Sequence, residues 1–279
     1  MCVIWGIPYL MIRVAVREVS PATLVFVRAL IAAAILVPIA AARSELRPVL
    51  TRWRPVLVFA LIEMAIPWVA LASAERRVSS SLAALLIAAV PFTAVAIAAL
   101  TGGERVDGSR LVGLVVGLGG VAAIVGLDAG STSAVGLAEM AVVVVGYATG
   151  PWLLSRYLED LPSFGVIAVS LAITAAAVAP IAAFELPSSM PSTHVIASIL
   201  GLALVCTALA FVLFFELIAE VGPVRSTVIT YVNPAVAALL GVVVLNEQFT
   251  AGMAVGFVLV LTGSALATGV VRQRVAVEA

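Results

Sequence analysis

The sequence predicts an all-α polytopic membrane protein of ten transmembrane helices, arranged as two inverted five-helix repeats. Three observations lead to this prediction: the composition, the spacing of the apolar runs, and a pattern in the first half that returns in the second. The chain is 63% hydrophobic and only 11% charged. Soluble domains are about 45–50% apolar and about 25% charged, so the bilayer is the expected solvent for most of this chain.

Short polar breaks divide the chain into ten apolar runs, most of them close to the roughly 20 residues that a spanning helix needs. The first run is short, which leaves open a start upstream of Met1. The longest polar stretch is 43–54, and the seam between the halves is 128–133. The predicted spans are 2–17, 21–42, 55–74, 79–100, 110–127, 134–154, 163–184, 195–217, 222–245 and 249–270.

The arginines predict the orientation of these spans. All 15 basic residues are arginine, and cytoplasmic loops carry the excess of positive charge in membrane proteins. With the N-terminus inside, the outer loops hold only Arg17, Arg76 and Arg77. We therefore expect a multi-pass protein of the cell (inner) membrane with both termini in the cytoplasm, which requires an even number of spans.

An internal repeat appears when the chain is compared with itself at an offset of 143 residues. The matched pairs are Pro91 with Pro234, Glu104 with Glu247, Gly113 with Gly256, Gly120 with Gly263 and Gly126 with Gly269. The repeats then cover 1–127 and 134–270, and 271–279 is a cytoplasmic tail. Five spans per repeat is an odd number, so the second copy starts on the opposite side of the membrane and the repeats are inverted. Inverted repeats are typical of secondary transporters.

The order of several short motifs resembles the EamA-like family of the drug/metabolite transporter superfamily. The motifs are Trp5-Gly6, Ser20-Pro21 with Arg28, Pro91 with Gly103-Glu104, Gly222-Pro223, Asn233-Pro234 and Asn246-Glu247. The resemblance implies ten helices in two inverted halves and the export of amino acids, related metabolites or drugs. Asn246 departs from the first-half pattern, which has Gly103 at the matched position.

Charged and proline residues inside the spans are the candidates for a substrate path. A charge at the bilayer centre costs about 2.5–3.5 kcal/mol, so Glu63 in the third span needs a role. It contacts a substrate ammonium, carries a coupling proton, or is a neutral structural acid that donates one interhelical hydrogen bond. Pro67 and Trp68 lie one turn further along. Arg28 is expected to snorkel outward, with Glu63 or a substrate carboxylate as its alternative partners.

Further candidates are residues that kink a span or offer a hydrogen bond. Prolines at matched positions of two repeats indicate a transporter's binding site, although a simple kink is the competing interpretation. Tyr231 and Asn233 precede Pro234 and can hydrogen-bond a polar solute, while Trp5 and Tyr9 share a face of the first span and line the path or pack. The candidates in this group are Pro91, Tyr231, Asn233, Pro234, Trp5 and Tyr9.

Four matched residues have expected structural roles. Glu104 and Glu247 open the loops after the fourth and ninth spans, where they are expected to cap the fifth and tenth helices. Gly113 and Gly256 allow helices to approach closely.

These observations favour a secondary transporter that exports a small polar metabolite by alternating access at a site between the repeats. Its expected partners are a small-molecule substrate, the lipid bilayer and protons as a candidate coupling ion, with a monomer or homodimer as alternative assemblies. A formal net charge of +0 gives no footprint for nucleic acid. No cofactor, metal site or enzymatic activity is expected, since no His or Cys cluster occurs. The alternatives are a non-transporting membrane protein and an intramembrane enzyme without a recognisable catalytic motif.

Overall fold

The computed structural model describes residues 1–101, 108–126, 133–221 and 229–268, with only the backbone given at 221 and 229–231. Within these ranges every regular element is a helix. Eight helices are long and apolar enough to cross a membrane, and two shorter apolar helices occupy the places of the first and ninth predicted spans. The helical class is therefore confirmed.

We number these ten apolar segments α1 to α10 in chain order. A separate short helix, Leu46–Thr51, lies in the stretch that was predicted to be a polar loop. The bounds of α1 to α5 are Cys2–Ala15, Pro21–Ala42, Trp53–Ala74, Ser80–Leu100 and Gly108–Gly126. Those of α6 to α10 are Ala134–Tyr157, Ser163–Phe184, Thr193–Glu220, Ile229–Leu245 and Ala251–Thr268.

Serine caps explain where three of these helices begin. The hydroxyl oxygens of Ser20, Ser79 and Ser133 accept hydrogen bonds from backbone N–H groups in the first turns of α2, α4 and α6. A helix leaves its first N–H groups without backbone partners, and a serine at this position satisfies one of them. Each serine directly precedes an apolar run, which is why the predicted starts agree closely with the structure.

The matched prolines affect their helices differently. α4 is interrupted at Ala88 and Ala89, just before Pro91, and the Ala88 carbonyl accepts a hydrogen bond of 3.1 Å from the Ser264 hydroxyl of α10. A proline removes a backbone donor, so a carbonyl in the preceding turn needs another partner. Pro234 is buried within α9 and does not interrupt it. Of the two matched prolines, only Pro91 therefore lies next to a break in its helix.

Two π-helical segments occupy corresponding places in the two halves. One is Ala60–Ala65 in α3, and the other is Gly201–Leu209 in α8. The first packs against α7 and the second against α2. Each π segment thus contacts the second helix of the opposite repeat. π-helical turns are rare and occur frequently at functional sites.

The matched helices α5 and α10 cross in an antiparallel contact. A methyl group at Gly113 would lie 2.7 Å from the Gly263 carbonyl oxygen, and one at Gly120 would lie 2.8 Å from the Gly256 carbonyl oxygen. The helices are antiparallel because the partner residues on α10 have lower numbers as the residue numbers on α5 increase. Exchanging the repeats at the offset of 143 converts each contact into the other, as a two-fold axis between the helices requires.

Hydrogen bonds between loops define two faces of the bundle. On face A, Glu18 accepts a bond from the Ser192 N–H, and Glu247 accepts bonds from Ser80 and Ser81. On face B, Arg52 pairs with Asp160 at 2.7 Å, and Glu45 accepts a bond of 2.8 Å from the Gly165 N–H. Each of these contacts joins loops that the sequence predicts on one side of the membrane, with face A outside and face B inside.

Candidate functional site

Arg28 of α2 is turned into the bundle rather than outward. Its side chain is buried, its Nε donates a 2.8 Å hydrogen bond to the Thr207 Oγ1, and its guanidinium carbon lies 3.9 Å from the centre of the Trp68 ring. The expectation that Arg28 snorkels is wrong. Arg28 lies in the second turn of α2, inside the span. The cation–π contact with Trp68 and the hydrogen bond to Thr207 compensate for the hydration that the guanidinium loses on burial.

The acceptor hydroxyl is held by the π segment of α8. Thr207 donates its own proton to the Leu202 carbonyl, five residues earlier, at 2.7 Å. An arginine is only a donor, so the Thr207 oxygen accepts from Arg28 while its hydrogen is used within the helix. The π segment therefore fixes the direction in which Arg28 points.

Glu63 lies in the other π segment, about halfway along α3. A methyl group at Gly150 of α6 would stand 2.5 Å from its carboxyl carbon, so the acid occupies space that this glycine leaves open. Its Oε2 is sealed and has no hydrogen-bond partner among the described residues, although the side chain as a whole keeps part of its surface. If Glu63 were a neutral structural acid, it would donate a hydrogen bond to another helix, and Oε2 does not form such a bond with any described residue.

Tyr147 of α6 links these two charged residues. Its hydroxyl lies within electrostatic range of both Arg28 and Glu63 and close to the Trp68 side chain. Among the described residues Arg28 and Glu63 do not form a direct ion pair, and Tyr147 lies near both of them. Arg28, Glu63, Trp68, Tyr147 and Thr207 are called the central cluster below.

The central cluster draws its residues from both repeats. Arg28, Glu63 and Trp68 belong to the first half, whereas Tyr147 and Thr207 belong to the second. Gly146 and Gly150 bring α6 against α3, since a methyl group at Gly146 would lie 2.5 Å from the Pro67 ring. Pro67 is thus a packing contact beside the cluster. Sequence reasoning missed Tyr147 and Thr207 because neither a lone tyrosine nor a lone threonine in an apolar span carries a distinctive pattern.

Tyr9 lies next to the central cluster, whereas Trp5 does not. Tyr9 is buried and interacts electrostatically with Tyr147 and Arg28. Trp5 packs in an aromatic group towards face B, with ring centres 6.0 Å from Phe211 and 4.8 Å from Phe214. The two residues therefore line different levels of the bundle.

The proline candidates lie in other contacts. Pro91 breaks α4 beside α10, and the α9 stretch with Asn233 and Pro234 faces α1, where a methyl group at Gly6 would lie 3.2 Å from the Asn233 carbonyl oxygen. The side chain of Tyr231 is outside the described residues. A binding role for these four residues stays a prediction.

Glu247 is a capping residue, but it caps a different helix from the one predicted. Its carboxylate accepts bonds from the N–H groups of Ser80 and Ser81 at 2.8 and 2.9 Å and from both hydroxyls, at the start of α4. The N–H of Met253 in α10 is instead bonded to the Thr250 hydroxyl. The tight turn after α9 explains the difference, since it directs Glu247 across the repeat boundary. Glu104 lies outside the described residues.

These four bonds set the ionisation of Glu247. Partial burial raises the pKa of its carboxyl, but the hydrogen bonds from Ser81 and Ser80 outweigh burial and leave the pKa below its ordinary value. The carboxylate therefore stays charged and ties the α9–α10 turn to the first repeat.

No metal site is formed by the part of the chain that the structure describes, since it holds no group of three or more His, Cys, Asp or Glu side chains suited to a metal ion. The central cluster brings one buried cation and one acid together in the bundle interior.

The fold and this interior site define a polytopic helical membrane protein with matched halves. A model of the EamA-like transporter family matches the chain twice, over residues 1–126 and 134–269, and the chain belongs to this family. The resemblance seen in the sequence is confirmed, and the family consists of transporters rather than enzymes.

Thirteen chains of known structure also match. One, described only as "Crystal structure of protein", is 24% identical, with a TM-score of 0.70 over 98% of this chain and 95% of its own. At this identity the likeness shows a shared fold. A comparison with curated proteins gave no match.

Proposed function

We propose that this protein is a secondary transporter that moves a small polar metabolite by alternating access between its two repeats. The central cluster carries the proposal. A buried arginine, an acid, a tyrosine and an indole converge from both repeats at mid-helix depth. Ionisable residues inside a membrane protein are costly and mark substrate or ion pathways.

The charges favour an amino acid or a related zwitterion as the substrate. Among the described residues Arg28 uses only its Nε, towards Thr207. The two terminal nitrogens of its guanidinium are suited to a carboxylate, which an arginine binds in a bidentate fork. Glu63, which interacts electrostatically with the same tyrosine as Arg28 does, supplies the opposite charge for an ammonium group. Drugs with a similar pair of charges are the alternative substrates.

The proposed transport cycle rests on inverted repeats with ten crossings. The antiparallel contact of the matched helices α5 and α10 supports inversion, and the loop contacts on faces A and B support an odd number of crossings per repeat. α1 and α9 complete the ten spans in this proposal. Rocking of one repeat against the other would expose the central cluster to each face in turn.

Direction and driving force follow the family and the charge pattern. We propose that face B and both termini lie on the cytoplasmic side of the inner membrane, because the arginine-rich loops belong to face B. The proposed direction of transport is export. A proton carried by Glu63 is the proposed coupling. The competing functions, a non-transporting protein or an intramembrane enzyme, leave the convergence of Arg28 and Glu63 without a role.

Counterflow in proteoliposomes tests the proposal. Vesicles loaded with one unlabelled compound from a panel of amino acids, purines, sugars and cationic drugs are diluted into the labelled compound. We expect accumulation with zwitterionic amino acids, and its loss in Arg28→Gln. Folded wild-type protein that shows no counterflow with any member of the panel would contradict the proposal.

Proton coupling is tested in the same vesicles with Glu63→Gln. At saturating substrate the variant should keep counterflow, which needs no net driving force, even though the lost charge weakens substrate binding. It should lose accumulation driven by a pH gradient. Gradient-driven accumulation equal to wild type, at equal protein content, would remove the coupling role of Glu63.

A further inference from the structure

Glu75 directly follows α3 on face A and is fully buried, with 0% of its surface exposed. Both of its carboxyl oxygens are sealed from solvent and have no hydrogen-bond partner among the described residues. Buried polar groups are nearly always hydrogen-bonded, and a buried ionised carboxylate without partners carries a large desolvation penalty. This carboxyl therefore differs from those of Glu18, Glu139 and Glu247 on face A, which accept hydrogen bonds.

The nearest positive charge does not neutralise Glu75. The guanidinium of Arg13, in the last turn of α1, donates its bonds to the backbone carbonyls of Glu75 and Val78 instead. The Glu75 carbonyl lies at the C-terminal end of α3, which attracts a cation. The arginine thus joins α1 to the α3–α4 turn and leaves the carboxyl itself unpaired.

Three titratable groups on neighbouring elements act on the Glu75 carboxyl. They are Arg13 of α1, Glu247 of the α9–α10 turn and Tyr9 of α1. Burial raises the pKa of Glu75 well above its usual range, Arg13 lowers it and Glu247 raises it further, so the neutral form is favoured in this arrangement. Arg77, on the same turn, is engaged by Glu139 at 3.0 Å.

We propose that Glu75 is a proton-binding residue whose neutral carboxyl belongs to a closed face A and whose ionised carboxylate belongs to an opened one. At this junction on face A, Arg13 of α1 and Glu247 of the α9–α10 turn lie close to Glu75 in the α3–α4 turn. Opening of this junction would admit water, and the carboxyl would release its proton to the solvent on face A. Closing would take one proton back, so each closure of face A binds one proton.

The direction of the pH effect follows from linkage. The carboxyl pKa of Glu75 is higher in the closed arrangement than in the open one. Protonation therefore stabilises the closed arrangement relative to the open one, and this stabilisation is fully present below the ordinary carboxyl pKa of the open arrangement. That stabilisation is lost as the pH rises through the higher pKa of the closed arrangement. Raising the pH should therefore open face A.

Infrared spectroscopy of the full chain in lipid vesicles tests the protonation state. The wild-type spectrum minus that of Glu75→Gln at neutral pH should contain the carbonyl stretch of a neutral carboxyl. Glu139→Gln is the matched control, since Glu139 is paired with Arg77 and its removal should leave this band unchanged. A difference spectrum with only carboxylate bands would overturn the proposal, whatever the protein transports.

A distance measurement across face A tests the conformational part. Spin labels are attached at Arg76→Cys and Leu186→Cys, two exposed positions, in a background with Cys2 and Cys206 changed to alanine. The wild-type distance should lengthen as the pH rises, whereas Glu75→Gln should stay short over the same range. Equal pH profiles for the two proteins would refute the link.

If Glu75→Gln does not fold, Glu75→Met carries the same test, because it removes the titratable group but keeps a side chain of similar volume in the buried site. Its distance should stay short over the whole pH range. Lengthening with pH as in the wild type would contradict the proposal. A role of this closure as a step of transport rests on the proposed function. The infrared band and the spin-label distances test the protonation and the opening of face A even if the protein transports nothing.

Discussion

Arg28 illustrates how a charged residue is accommodated within an apolar bundle. Its guanidinium stacks on Trp68 and its Nε is bonded to Thr207, which is fixed by the π segment of α8. A point charge such as lysine makes neither the planar stacking contact nor the fork. In the proposed transporter Arg28 recognises an anionic group, and lysine should not replace it.

Arg28→Gln should weaken substrate binding by about 10- to 150-fold, since a hydrogen bond to a charged group contributes about 1.5–3 kcal/mol. Arg28→Lys should restore only part of the loss. Binding is measured by scintillation proximity or calorimetry on purified protein. Arg77→Gln, which removes an exposed arginine of face A, is the control and should bind like wild type. An Arg28→Gln affinity equal to that control would exclude the role.

Glu247→Gln should lower thermal stability by about 0.5–2 kcal/mol, the usual effect of losing a helix cap. Because the pKa of Glu247 is lowered in the folded protein, the stabilisation is present above the carboxyl pKa of the unfolded chain. It is lost as the pH falls through the lowered pKa of the folded state. Melting curves of both proteins across acidic pH should converge at the low end, and a gap independent of pH would refute the assignment.

Single residues were the least predictable part of the molecule. The sequence identified Glu63 and Arg28 as residues that need a role at depth, because their charge alone is informative in an apolar span. It did not predict the inward direction of Arg28, since Thr207 is 179 positions away along the chain. The same is true of Glu247, whose partners Ser80 and Ser81 lie in the other repeat.

At the scale of elements, α5 and α10 depend on glycine for their contact. Both helices place glycines where a side chain would meet backbone atoms of the other. Without a hydrophobic force between helices in lipid, close backbone approach and van der Waals packing hold them together. The glycine pattern at matched positions was visible in the sequence and predicted a close approach of helices, but it did not identify the two helices that meet.

Gly113→Ala should destabilise the protein by about 1–3 kcal/mol, as overpacking does in a well-packed core. Its new methyl group would meet the backbone of Gly263 and Ala267. Gly119→Ala on the same helix is the control, because a methyl group there has nothing within 4 Å, and it should be neutral or slightly stabilising. Thermal unfolding in detergent compares the two, and equal melting temperatures would contradict the packing described here.

Element bounds were largely predictable, while departures from the regular α-helix were not. Hydropathy and serine caps placed the long helices well. The π segments at Ala60–Ala65 and Gly201–Leu209 have no sequence pattern that separates them from ordinary helix. They arise where α3 and α8 pack against the opposite repeat, which is a property of the assembled bundle.

At the scale of the whole molecule, helices of each repeat pack against helices of the other repeat. α3 packs on α6 as α8 packs on α1, and α2 packs directly on α7. The polar contacts follow the same rule, with Arg28 and Thr207 in the interior and Glu247 with Ser80 at face A. The boundary between the repeats is where a rocking movement would change the exposure of the central cluster.

The proposed transport mechanism depends on the relative orientation of the two repeats, and cysteine labelling tests that orientation most directly. Arg47→Cys and Ser189→Cys lie in equivalent loops of the two repeats, and both positions are exposed. Each is introduced singly into the background without Cys2 and Cys206, and intact cells are treated with a membrane-impermeant maleimide. We predict that Ser189→Cys is labelled from outside and Arg47→Cys only after the membrane is opened. Labelling of both from the same side would contradict inverted repeats and the transport mechanism built on them.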